Sequence, residues 1–182
     1  MNTGLTNNSG LRINVAGLLK GPIGAVRRFE LSEDIAGIDQ HLDIQSPLVG
    51  SLTLIRTPDG VLASASAETS LELECCRCLE PFSGPVQLEI EEEFHPSVDI
   101  GTGASLPVTD TEEDATVIDE HHVLDLTEVV RQAILLSLPM SPLCQQDCAG
   151  LCPLCGQNLN ESRCQCATDS VDPRLEVLKQ LL

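Results

Sequence analysis

The stretch LELECCRCLEPFSGPVQLEIE, residues 71–91, decides the fold of this chain. Residues 71–74 alternate apolar and acidic side chains, and residues 86–91 alternate apolar with polar ones. A period of two is typical of a β-strand that buries one face, and the turn residues of 81–85 favour a hairpin between the two runs. The sequence therefore predicts two neighbouring strands, with the CCRC of residues 75–78 at the hairpin tip.

Further strands are predicted towards the N-terminus. Residues 11–15 alternate with period two, and residues 26–31 are predicted to form their partner strand. Residues 52–54 and 61–63 flank a Pro58-Asp59-Gly60 turn. Together these patterns predict an α+β fold whose core is a mainly antiparallel, barrel-like β-sheet.

One helix is predicted beside this sheet. Asp125 is a suitable N-cap, Glu128 would complete a capping box, and Pro139 would end the helix after about 12 residues. Residues 133–138 are apolar nearly all round, so the helix is expected to be buried against the sheet.

The charge of the chain is strongly negative and unevenly distributed. The formal net charge is −18, and residues 67–143 carry 17 acidic and 2 basic side chains, a net of −15. With three Phe, no Tyr and no Trp, the chain lacks the basic and aromatic surface that unaided nucleic-acid binding requires. Residues 96–120, rich in Pro, Gly, Thr and acidic residues, predict a flexible acidic loop.

Nine cysteines form the strongest chemical signal. An odd number cannot pair completely in intrachain disulfides. The first 30 residues lack a secretory signal pattern, and no apolar run is long enough to span a bilayer, so a soluble cytosolic protein is expected. In that compartment clustered cysteines are more often metal ligands or catalytic thiols than disulfides.

Two sets of four cysteines have spacings that suit a metal. Cys152 and Cys155, followed by Gly156, form a zinc-knuckle pattern that Cys164 and Cys166 could complete. In a flat strand the last two side chains would stand about 7 Å apart, so this site requires a tight turn there.

The second predicted set joins the hairpin tip to the segment after the helix. Cys75 and Cys78 would be joined by Cys144 and Cys148, leaving Cys76 unused. One or two Zn²⁺ ions per chain are therefore predicted, although thiolate ligands alone leave iron open.

The predicted domain boundary follows from this pattern. Residues 1–143 are expected to form the β-rich core, and residues 144–182 a zinc-binding tail. Asp172-Pro173 predicts the start of a short C-terminal helix that ends at Leu182.

Several separated motifs also resemble a known family. They run from about Leu11 to Leu182 and include Leu73-Glu74-Cys75-x-Arg77-Cys78-Leu79, Leu138-Pro139-x-x-Pro142-Leu143-Cys144, Cys148-x-Gly150-Leu151-Cys152-Pro153-x-Cys155-Gly156-x-Asn158-Leu159-Asn160, Cys164-x-Cys166 and Asp172-Pro173-Arg174. This series closely resembles the YceD-like proteins, also called the large ribosomal RNA subunit accumulation proteins.

The resemblance implies a bacterial or plastid factor needed for normal accumulation of large-subunit ribosomal RNA. Because the similarity begins at Leu11, we expect a bacterial cytoplasmic protein without a cleaved transit peptide. The negative charge would repel RNA, so the large-subunit precursor is expected to be contacted mainly through a basic ribosomal protein. Whether Arg77 also touches RNA stays open, and neither a membrane nor a small-molecule substrate is expected.

Two other function classes compete with this non-enzymatic interpretation. One is an enzyme, either a cysteine-based thiol oxidoreductase or an RNA-processing enzyme that uses acidic loop residues with a divalent ion. The other is a zinc-ribbon adapter in transcription. Neither Cys-x-x-Cys pair begins a predicted helix, and no phosphate loop, nucleophile elbow or HExxH motif is present, so no catalytic residues are predicted.

Overall fold

A computed structural model of the protein describes residues 10–106 and 114–166. The C-terminal helix predicted from Asp172-Pro173 to Leu182 lies outside the described residues, as do residues 107–113 of the predicted acidic loop. No helix in the described ranges is long and apolar enough to cross a membrane.

The described residues form two compact units. The sheet unit lies within Met1–Leu73 and Ser83–Met140, and the cysteine unit lies within Glu74–Phe82 and Ser141–Leu182. This division groups the hairpin tip with the C-terminal cysteines. The domain boundary predicted at residue 143 stays a prediction.

The elements are numbered here in chain order. They are β1 (Arg12–Asn14), α1 (Ala16–Leu19), β2 (Val26–Glu33), β3 (Leu48–Arg56), β4 (Val61–Glu74), β5 (Pro81–Pro96), β6 (Val117–Ile118), β7 (Val123–Asp125) and α2 (Thr127–Ser137).

The main sheet has five strands in the order β2-β3-β4-β5-β6. The β2–β3 and β3–β4 pairs are antiparallel, whereas β5 and β6 run parallel. Strands β2 and β6 are its two edges over the described residues, so the sheet is open and the predicted barrel-like closure is not confirmed.

The pairing predicted for the first strand was wrong. Strand β1 pairs antiparallel with β7 in a separate two-stranded sheet, and β2 pairs with β3 instead. The reason is α1, which follows β1 almost directly and buries Leu18 and Leu19. This short helix ends the extended run before a β1–β2 hairpin can form.

Strand β4 is a single long strand where the sequence suggested two short ones. Ala63, Ala65 and Ala67 are buried, while the serines between them face outwards. The neighbouring strand β3 approaches closely here, since a Cβ on Gly50 of β3 would clash with the Ser66 carbonyl oxygen.

Helix α2 is buried on one face only. Val129, Val130 and Ile134 are buried, but Leu136 is 88% exposed. The predicted burial of the whole helix is therefore not confirmed. Asp125 was predicted to be the N-cap, but Leu126 holds that position and Asp125 lies one residue before it. Asp125 Oδ1 accepts a hydrogen bond from the Thr127 amide at 2.9 Å.

Candidate metal centres

The cysteine unit brings together both predicted sets of four thiols. In each set the four Sγ atoms all lie within 4.8 Å of one another. The first centre comprises Cys75, Cys78, Cys144 and Cys148, and the second comprises Cys152, Cys155, Cys164 and Cys166. The ninth cysteine, Cys76, is exposed and belongs to neither centre.

The sulfur spacing of the first centre fits a tetrahedral metal. The Sγ atoms of Cys75 and Cys148 are 3.7 Å apart, and those of Cys78 and Cys144 are also 3.7 Å apart. A tetrahedron with Zn–S bonds of about 2.3 Å has S–S edges of about 3.8 Å. A disulfide would require about 2.05 Å, so the spacing suits a shared cation rather than a bond.

A specific turn presents the first two ligands. The Cys75 amide donates to the Glu80 carbonyl at 3.0 Å, and the Leu79 amide donates to the Cys75 carbonyl at 2.9 Å. Leu79 has a φ of 60°, in the left-handed region that favours glycine. The hairpin tip is thus a knuckle that places both sulfurs on one side.

The second centre repeats this knuckle. The Cys152 amide donates to the Gln157 carbonyl at 2.9 Å, and the Gly156 amide donates to the Cys152 carbonyl at 2.9 Å. Gly156 has a φ of 75° and occupies the position that Leu79 holds in the first knuckle. The sequence indicated the role of Gly156. It did not reveal that residues 75–80 form the same knuckle, because the equivalent position there is a leucine, which does not signal a positive φ.

The remaining two ligands of the second centre are close enough to share an ion. Cys164 and Cys166 lie outside any strand, and their Sγ atoms lie within 4.8 Å of each other. The separation of about 7 Å that a flat strand would impose is therefore absent. Cys155 is exposed, whereas all but 3% of the Cys152 surface is buried.

Backbone amides prepare one thiol of each knuckle for a cation. The Cys144 amide is the main cause that lowers the pKa of Cys75 to about 6, and the Cys155 amide does the same for Cys152, also to about 6. Burial of its sulfur raises the pKa of Cys144 to about 12, although that residue is exposed as a whole. A hydrogen bond with Cys155 raises the pKa of Cys166 to about 12. A bound divalent metal would displace the protons that the thiols of each centre carry.

Two residues that support the first centre were not assigned a role from the sequence. The Asn160 Nδ2 donates to Cys148 Sγ at 3.3 Å and lowers the pKa of that thiol, while Asn160 Oδ1 accepts from the Ala149 amide at 2.8 Å. The Arg77 guanidinium donates to the Cys148 carbonyl at 3.0 Å. Asn160 belongs to a motif shared with the family, but the spacing of the cysteines gave no reason to expect that its amide orients a ligand sulfur.

Comparison with known families covers both centres. A family model described as "Large ribosomal RNA subunit accumulation protein YceD" matches residues 63–182. The chain belongs to the YceD family. The match includes the two knuckles and all eight cysteines of the candidate centres.

Individual relatives come from bacteria and plants. An uncharacterized protein of Mycobacterium tuberculosis is 36% identical over 125 residues, covering 68% of this chain and 56% of the relative. A Zea mays protein named "Large ribosomal RNA subunit accumulation protein YCED homolog 1, chloroplastic" is 28% identical over 149 residues, covering 70% of this chain and 51% of the relative. This YceD-family chain therefore spans about half the length of these curated relatives. No solved structure matches it.

Proposed function

We propose that this YceD-family protein is a non-enzymatic factor that supports assembly of the large ribosomal subunit and accumulation of its RNA. It acts in the bacterial cytoplasm as a zinc-stabilised interaction module. The family description and the printed name of the Zea mays relative support the ribosomal role.

The two four-thiol centres are the observation that carries this proposal. A site with four protein ligands has no open position for substrate or water, which is typical of structural zinc. Cys75, Cys78, Cys144 and Cys148 would hold one ion, and Cys152, Cys155, Cys164 and Cys166 the other. Zinc at these centres would supply cross-links, and the chain's amides would orient and stabilise the sulfurs.

The thiol-oxidoreductase alternative has less support. A reactive Cys-x-x-Cys pair normally sits at a helix N-terminus, which lowers the pKa of the first thiol. In the described ranges both pairs lie in turns, and backbone amides, not a helix N-terminus, lower the pKa of Cys75 and Cys152.

The charge distribution favours a protein partner on the particle. Residues 67–143 have a net charge of −15, from 17 acidic and 2 basic side chains. Arg77, the one basic side chain at the hairpin tip, uses its guanidinium to hold the Cys148 carbonyl. Contact with a basic ribosomal protein is therefore favoured over contact with bare RNA.

Depletion in the native host tests the proposal. We expect a ribosome profile with less large subunit and less large-subunit RNA, restored by the parent chain and restored poorly by Cys148→Ser or Cys155→Ser. Cys76→Ser is the matched control, because Cys76 lies outside both centres. Unchanged large-subunit RNA after depletion would overturn the proposal.

A further inference from the structure

A groove in the sheet unit lies between β5 and α2. Its volume is about 380 Å³, and it is lined by residues 89–92 of β5 and by α2 residues that include Val129, Ala133 and Leu136. This volume falls within the range of about 300–1,000 Å³ seen for ligand pockets.

The groove exists because the sheet stops short there. Among the described residues, β6 pairs with β5 only at His95 and Pro96. Residues 89–92 therefore have no strand beside them on that side within the described ranges. Helix α2 leaves Leu136 88% exposed, and Met140 just beyond it is fully exposed.

The rim and the floor of the groove differ in character. Buried Ile90 and Val129 contribute an apolar floor. Glu91 and Glu92 contribute two exposed carboxylates, and no ion pair engages them among the described residues. Glu89 also lines the groove, but its carboxylate accepts a hydrogen bond from the outward-facing Ser66 hydroxyl at 2.8 Å.

We propose that this β5–α2 groove binds a basic amphipathic segment of a partner protein. Apolar side chains of that segment would cover Leu136 and the floor, while Lys or Arg side chains would pair with the glutamates. The identity of the partner as a ribosomal protein rests on the proposed function, but the chemistry of the segment rests on the groove alone. RNA is disfavoured because its phosphates would meet the carboxylate rim.

Edge protection is the competing explanation for the glutamates. Charged side chains on a strand edge prevent edge-to-edge pairing between copies of a protein. If that were their whole purpose, neutralising them would promote self-association and leave peptide binding unchanged. Edge protection also gives no reason for the exposed Leu136 on the neighbouring helix.

The test uses the zinc-loaded full chain and two synthetic peptides. One is a Lys/Leu peptide with leucines at helical i, i+3, i+4 and i+7 spacing, and the other is its scrambled sequence. The groove variants are Leu136→Ser and the double variant Glu91→Gln/Glu92→Gln. The controls are Ile23→Ser, which alters another exposed apolar residue of the sheet unit, and Glu30→Gln/Glu72→Gln, which removes the same charge elsewhere.

We expect the amphipathic peptide to bind the parent chain, and each groove variant to weaken binding by about tenfold, which corresponds to about 1.4 kcal/mol. The control variants should bind within about twofold of the parent, since rim charges elsewhere contribute little. Equal binding of the scrambled peptide, equal loss in the controls, or self-association as the only effect would overturn the groove proposal.

The two proposals fail separately. If the groove variants bind peptide normally while depletion still lowers large-subunit RNA, the groove assignment alone is wrong. If the groove behaves as expected while depletion leaves ribosomes unchanged, the ribosomal function is wrong and the basic partner belongs to another process.

Discussion

Leu79 and Gly156 occupy equivalent positions in the two knuckles, but the backbone conformation there is energetically unfavourable for leucine and not for glycine. Their φ angles are 60° and 75°. A residue with a Cβ is disfavoured there by about 1–2 kcal/mol, whereas glycine adopts this conformation readily. The first knuckle therefore retains a strain that the second lacks.

Reciprocal substitutions test this difference. Gly156→Ala should lower the free energy of unfolding of the cysteine unit by about 1 kcal/mol. The added Cβ would meet no atom within 4 Å, so only the backbone conformation is penalised. Leu79→Gly should raise stability by about 0.5 kcal/mol, since glycine also loses more entropy on folding. Denaturant unfolding of zinc-loaded protein provides the measurement.

Leu154→Gly is the control for this pair. Leu154 is 57% exposed at the second knuckle and lacks a positive φ. It should therefore lose stability where Leu79→Gly gains it. The same sign for both leucine variants would contradict the interpretation.

Asn160 gives a second residue-level prediction. Asn160→Ala removes the amide that donates to Cys148 Sγ at 3.3 Å, so zinc affinity at the first centre should fall by about 10- to 100-fold. Chelator competition followed by native mass spectrometry measures the loss of the first ion. Gln157→Ala is the control, because that side chain donates to the Ser162 hydroxyl and, among the described residues, bonds no sulfur. Equal affinities for the Asn160 variant and the parent would show that the amide does not support the metal.

At the scale of elements, the sequence predicted where strands lie better than it predicted which strands pair. Period two correctly predicted strands at residues 71–74 and 86–91, which lie inside β4 and β5. It missed the middle of β4, because the alanines that β4 buries give a weak hydrophobic signal. It also paired β1 with β2, since alternation says nothing about which strand is the neighbour.

The candidate centres show the same limit. Spacing grouped the eight cysteines into the sets that the structure brings together. It could not reveal the positive φ of Leu79, which is a property of the backbone conformation. Nor could it reveal the role of Asn160, which depends on a contact with the Cys148 sulfur. Glu128 was expected to cap α2, yet its carboxylate bonds the Arg131 and Gln132 side chains instead.

This Glu128 contact makes the stability of α2 depend on pH. The Arg131 hydrogen bonds lower the pKa of Glu128 from 4.5 to about 2. Because the folded-state pKa is the lower one, the stabilisation is complete above about pH 4.5 and is lost as the pH falls towards 2. Glu128→Gln should therefore accelerate amide hydrogen exchange in α2 at pH 7, and the difference from the parent should shrink through that window.

A glutamate on β2 serves as the control for this pH dependence. Glu30 is exposed and forms no ion pair among the described residues, so Glu30→Gln should leave α2 exchange unchanged. Local exchange is the appropriate measurement, because acid also releases metal from thiolates. A Glu128→Gln effect that persists below pH 2 would refute the electrostatic explanation.

For the whole molecule, the two units should respond differently to a chelator. The apolar cluster of the cysteine unit is small, with Phe82 and Leu143 packed against buried cysteines, whereas the sheet unit has an extensive Leu, Ile and Val core. Chelation should therefore make residues 141–166 protease-sensitive and leave β2–β5 protected. With one ion at each four-thiol centre, we expect about two Zn²⁺ per chain by native mass spectrometry.

Two outcomes would contradict that expectation. Protection of residues 141–166 in metal-free protein would show that the cysteine unit does not need the ions. Loss of protection in β2–β5 on chelation would show that the sheet unit depends on them as well. Cys155→Ser should remove a single ion, because its sulfur belongs to the second centre only.

The first centre also constrains the order in which the chain can mature. Its sulfur pairs join residues 66 and 73 positions apart, so the ion closes a long loop through the intervening sequence. By lowering the entropy of the unfolded chain, a permanent cross-link of that length would raise its free energy by about 4 kcal/mol at room temperature. During synthesis, Cys75 and Cys78 leave the ribosome before Cys148, and the four-sulfur site can form only after Cys148 has emerged. Complete metal loading of this centre therefore cannot precede the emergence of Cys148, and a polypeptide released before that point would carry a half-made site.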